Sequence, residues 1–122
     1  MNISEMFDKI NQSVNELDLV HARKLIEENM EIIKGKKHFL SRNARELLEV
    51  LIDANLSTLS RKEMLVLQTI NAYASSFDLV GLKITLKNNT ELLVKEDILQ
   101  YLNSDARIVL EGMGVIRKQN IM

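Results

Sequence analysis

The sequence predicts a mainly α fold: an antiparallel bundle of about four main helices, with a small C-terminal β-hairpin and short helices. Three observations predict it. Apolar residues recur at steps of three and four over most of the chain. Apolar types make up 46% and aromatics only 4%, so the core is aliphatic. From Leu82 onward the pattern changes to alternation, the signature of a strand.

The elements follow in order. Ile3, Met6, Phe7, Ile10, Val14 and Leu17 mark one face of a first helix, with Ser4 as its expected cap and Glu5 and Asp8 in its first turn. Asp18 is the expected cap of a second helix. Its stripe is Val20, Leu25, Ile26, Met30 and Ile33, and Lys34 then Gly35 supply the base and glycine of a helix end. Ser41 caps a third helix to about Ala54, with Ala44, Leu47, Leu48, Leu51 and Ile52 inward and Leu56 and Leu59 in the turn beyond. Ser60-Arg61-Lys62-Glu63 is a capping box, and Leu59 with Met64 forms the matching hydrophobic staple. The helix it starts runs to Phe77. Leu82, Ile84 and Leu86 then alternate, Asn88-Asn89-Thr90 signals a turn, and Glu91–Val94 reads as the returning strand. Lys95–Tyr101 and Asp105–Glu111 read as short helices. Gly112 and Gly114 permit a tight turn, and Val115-Ile116 reads as a last strand before a frayed end from Arg117.

At 122 residues the chain is one domain of ordinary size. Residues 1–60 form a three-helix part, and residues 61–122 a central helix followed by the hairpin and short elements. No strict internal repeat stands out, and the tetratricopeptide signature is absent. There is no Cys, Pro or Trp. The missing Cys excludes disulfides, zinc fingers, iron–sulfur clusters and thiol nucleophiles. The N-terminus lacks the basic and apolar regions of a signal peptide, and the longest uncharged stretch is too short and polar to span a bilayer. The expectation is a cytoplasmic protein with no membrane contact.

The net charge of −1 hides an uneven distribution. Seven acids and three bases give −4 over 1–33, three acids give −3 over 46–60, and eight bases and seven acids give +1 over 61–122. Between the first two lies 34–45, with five bases and no acid. Lys34, Lys36, Lys37, His38, Arg42 and Arg45 are therefore the candidate site for an anionic or protein partner. Bases at a helix start oppose its dipole, which an anion would relieve. The competing account pairs them with Glu27, Glu31, Glu46 and Glu49.

Catalytic patterns are missing. His21 and His38 have no metal-ligand spacing, and Glu27 with Glu31 has no second ligand set. Nothing but proximity in sequence joins Ser41, His38 and an acid. Gly112-x-Gly114 lacks the rest of a phosphate loop. No cofactor is implied. The leading expectation is a small non-enzymatic interaction or regulatory protein working through protein contacts. A homodimer through the broad apolar helix of Met64, Leu65, Leu67 and Tyr73 belongs to that expectation. One alternative is a nucleic-acid-binding transcriptional regulator using 34–45, with the hairpin as the wing of a winged helix. The other is a phage or mobile-element accessory protein that binds a host protein; the high Asn, Lys and Ile usage suits an AT-rich bacterial genome.

Overall fold

The computed structural model describes residues 2–53 and 58–118. Seven α-helices lie among them: α1 (Ile3–Asn15), α2 (Leu19–Glu28), α3 (Met30–Gly35), α4 (Arg42–Ile52), α5 (Arg61–Ser75), α6 (Leu79–Lys87) and α7 (Ser104–Met113). Short 3-10 turns occupy Lys37–Phe39, Leu92–Val94 and Glu96–Tyr101. The described residues contain no strand. The expected ends at Ala54 and Leu56, and the fraying of the last four residues, fall outside the described part.

The caps act as local chemistry dictates. Asn2, not Ser4, caps α1, accepting from the Glu5 N–H. Ser41 accepts from Ala44 at the start of α4. At α5 both halves of the capping box form: the Glu63 N–H donates to Ser60 Oγ, and the Ser60 N–H donates to Glu63. The second predicted helix is broken at Asn29, whose side-chain amide turns back to donate to the Leu25 carbonyl.

The C-terminal β-hairpin is the main correction, and a helical bundle stands in its place. Residues 79–87 form α6, and 92–101 form 3-10 turns. Leu82 and Leu86 are i,i+4 neighbours on one helical face and fully buried, whereas Ile84 is 58% exposed. The alternation was thus a coincidence of two core leucines with an outward isoleucine between them. Asp78 adds a local signal, because its carboxylate accepts from the Gly81 N–H at the start of the helix. Val115 and Ile116 form no strand but close the end of α7: Gly114 takes a left-handed φ of 80° and Val115 donates to the Leu110 carbonyl. Gly112 lies inside α7.

Although the sequence shows no strict repeat, the two halves of the chain, α1–α4 and α5–α7, are units built on one plan. In each unit a long helix packs on the next helix and on a later one: α1 on α2 and α4, α5 on α6 and α7. Each long helix ends on a non-glycine residue in the left-handed region, Leu17 at φ 65° and Phe77 at φ 56°. An Asp-Leu-Val start of the next helix follows both times. Asn29 repeats as Asn89, which donates to the Thr85 carbonyl just as Asn29 donates to Leu25. The clearest match is a side-chain clamp. Asn11 donates to the Phe39 carbonyl (3.0 Å) and accepts from the Ser41 N–H (2.8 Å). Asn71 donates to the Tyr101 carbonyl (2.8 Å) and accepts from the Asn103 N–H (3.0 Å). Ser41 and Asn103 in turn cap α4 and α7. The duplication hid in the sequence because few side chains are shared and two residues are inserted before the second clamp point.

The units join through aliphatic side chains. Leu92, Leu93, Val94 and Ile98 of the second unit are buried in the same core as Leu19, Leu47 and Leu48 of the first. Lys95 ties the connection: its ammonium donates to the Thr58 carbonyl and to Glu63 Oε2 at 2.8 Å. Burial raises the Glu63 pKa, but the Lys95 ammonium and the Ser60 donors outweigh it and hold the carboxyl below its ordinary value. A buried hydroxyl, Thr90 Oγ1, has no partner among the described residues. Thr90→Val should therefore raise stability by about 1 kcal/mol, since it removes an unpaired polar atom at constant shape; urea unfolding of both chains measures it.

Candidate functional site

The predicted basic segment is spread along the end of α3, the 3-10 turn and the first turn of α4. Lys34, Lys36, Lys37, His38, Arg42 and Arg45 are all exposed. Of the acids offered as partners, only Glu46 is engaged with this segment among the described residues, by Arg42 at 3.3 Å. Glu27 instead pairs with Arg23 (2.8 Å) and Arg117 (3.6 Å). The His38 ring stacks at 4.2 Å, tilted, on Phe39, which packs at 5.4 Å on Phe7. The segment is thus a solvated basic strip anchored by one aromatic.

The predicted oligomer residues divide. Leu67 is core, 1% exposed; Met64 and Tyr73 are half-buried; Leu65 is 57% exposed. The apolar breadth of α5 is used mainly inside the chain, where it covers α6 and α7. Tyr73 fills the space that Gly81 leaves open. A Cβ on Gly81 would lie 2.6 Å from Tyr73 Cε1. The first unit reverses the sizes, with small Ser13 and large His21 at the matching places, joined by a 3.2 Å hydrogen bond.

Ser41 uses its hydroxyl to cap α4, and His21 is held by Ser13. Among the described residues no group of three or more His, Asp or Glu is placed to hold a metal ion. A groove of about 560 Å³ lies between the units, lined by Leu19, Val20 and Arg23 on one side and by parts of 93–100 and 115–117 on the other. It is the seam of the two units and is open, with an ion pair across it from Arg23 to Glu96 at 3.8 Å. Among the described residues no helix is long and apolar enough to cross a membrane. Nor do the described residues hold a strand to serve as the wing of a winged helix, so that layout is overturned.

The feature missed in the sequence is the turn from α5 into α6. Phe77 is 74% exposed, Val80 73% and Ile84 58%, with Leu79 also exposed. Val80 and Ile84 lie one turn apart on the outer face of α6. At the matching places of the first unit, Leu17 and Leu19 are 2% and 1% exposed. There the stretch after α7 lies over the start of α2, and the Gly114 carbonyl accepts from the Val20 N–H at 3.0 Å. The signal in the sequence was the recurrence of Ile-Asn and Asp-Leu-Val at equal spacing in the two halves, at Ile10 and Asp18, then at Ile70 and Asp78.

The left-handed turn sharpens the contrast. Holding a residue with a Cβ in that region costs about 1–2 kcal/mol. Leu17 recovers this by burial in the core, and Phe77 does not. Phe77→Gly should accordingly stabilise the chain by about 1 kcal/mol in urea unfolding, whereas Leu17→Gly should cost several kcal/mol through the lost core side chain.

Comparison with protein-family models, with curated proteins and with solved structures finds no match for this chain.

Proposed function

We propose that this chain is a small non-enzymatic interaction protein, of the regulatory or accessory kind, whose docking surface for another protein is the exposed apolar face of Phe77, Leu79, Val80 and Ile84. The observation that carries the reading is Phe77: a large apolar side chain held in a strained conformation and left in water, where the duplicate position is buried. Stability gains nothing from that arrangement, so binding is its economical explanation. A cytoplasmic setting accords with the reading. The test is a photo-crosslinking residue at position 80 of the full chain, expressed in the cells it comes from. A discrete adduct is expected, lost when Ile84→Glu is added and missing when the crosslinker stands at position 62. Equal labelling at 80 and 62 overturns the proposal.

A second reading rests on the basic strip. Lys34, Lys36, Lys37 and Arg45 have no ion-pair partner among the described residues, so their charges remain available to an anionic partner, a nucleic acid included. Retention on duplex DNA or RNA at about 50 mM salt, weakened by replacing Lys36 and Lys37, supports it. No retention at that salt sinks it.

A further inference from the structure

Resting on the docking surface proposed above, we infer that its partner is an acidic apolar segment, built like the chain's own inter-unit contact: aliphatic side chains with a carboxylate beside them, not a second copy of this chain.

The first unit shows what this kind of face accepts. On α2, Leu19 is buried in one core with Leu93, Val94, Ile98, Val115 and Ile116, and Val20 lines the groove beside them. A backbone carbonyl, that of Gly114, takes the Val20 N–H. A carboxylate, Glu96, approaches Arg23. Three kinds of contact are therefore made to one helical start: apolar, carbonyl and carboxylate.

The start of α6 presents the same three groups with nothing on them among the described residues. Leu79 and Val80 repeat Leu19 and Val20, and both are exposed. The Val80 N–H, in the first turn of α6, has no hydrogen-bond partner among the described residues. Lys83 stands where Arg23 stands, exposed and without an ion pair among the described residues. Ile84 replaces Lys24 and widens the apolar part.

Charge decides against a second copy. Head-to-tail stacking would present the first unit's own segment 33–38, the end of α3 and the start of the 3-10 turn, to α6. The position matching Glu96 is Lys36, flanked by Lys34 and Lys37. Lysines would then meet Lys83, with like-charge repulsion in place of an ion pair. A two-fold contact of α6 with itself would bring Lys83 and Lys87 towards their own copies. A carboxylate-bearing partner has neither defect.

The probe is a synthetic peptide of residues 91–117, which carries both covering stretches, titrated into the isotope-labelled full chain and followed by amide shifts. Saturable shifts at Val80, Lys83 and Ile84 are expected, with affinity falling about tenfold for Val80→Glu, as for a central apolar contact. Glu96→Lys in the peptide should weaken binding about threefold, and Lys83→Glu in the protein should restore it, as a surface ion pair requires. Because ordering a free peptide weakens its binding, the same segment is also tethered to the C-terminus of the full chain by a flexible linker, raising its effective concentration to the millimolar range. Slowed hydrogen exchange at the Val80 amide is expected there. No shift at α6 up to about 1 mM together with no protection in the tethered chain, or equal binding of the charge-reversed peptide, overturns the inference. A crosslink at position 80 persisting under that result would leave the docking surface standing and remove only its acidic partner; loss of that crosslink would remove the surface itself.

Discussion

Gly81→His is expected to destabilise the chain by about 2–3 kcal/mol, and Tyr73→Ser in the same chain to return most of that loss. The reason is volume. The Tyr73 ring occupies the space beside Gly81, with Cε1 and Cζ 2.6 and 2.8 Å from where a Cβ would be. A histidine there must displace the ring. With serine at 73, the pair becomes the Ser13–His21 pair of the first unit, which packs and hydrogen-bonds at 3.2 Å. Tyr73→Ser alone should also cost stability, because it leaves a cavity against α6. The measurement is a double-mutant cycle in urea. A coupling near zero would show that the two units are not interchangeable at this point. Because both changes lie on α5 and α6 close to Phe77, the rescued variant should keep its exposed α6 face.

The second large effect concerns the clamps. Asn71→Ala should cost about 2 kcal/mol, since it removes two hydrogen bonds to backbone groups of the segment leading into α7. Asn11→Ala should cost a similar amount through Phe39 and Ser41. The readouts are denaturant unfolding and amide exchange at Asn103 and Ser41, whose N–H groups lose their acceptor. Asn71→Asp keeps the acceptor and loses the donor, so its stability should fall between those of Asn71→Ala and the unaltered chain. Unchanged exchange at Asn103 in Asn71→Ala would show that the clamp does not hold the segment.

The first of these results also bears on the proposed docking surface. The α5–α6 turn is set by Tyr73 against Gly81 and by the Asp78 cap, and that turn holds Phe77 outward. On the proposed docking reading, Phe77→Gly should give a more stable chain that docks less well, the trade-off expected of a residue kept for binding where folding does not favour it.

The sequence alone settled the helices whose signals are local. The capping box at Ser60–Glu63, the Ser41 cap and the helices α1, α4 and α5 need only neighbours within four residues, and they formed as those neighbours require, although Ile3, Ile52, Leu65 and Phe77 of the expected stripes are exposed. It also settled the lack of cysteine chemistry, because residues that are not there cannot be brought together. Segment 79–94 was open to two periods, since Leu82, Ile84 and Leu86 satisfy both alternation and an i,i+4 pair. Only the packing against α5 made the helix win, by burying two of the three. Equally, Leu17 and Phe77 look alike in the sequence, each a large apolar residue before Asp-Leu-Val. Burial is a property of what folds over a residue, and the stretch after α7 folds over only the first of these two turns. The tertiary structure thus decided which of two equivalent faces belongs to the core and which stays exposed.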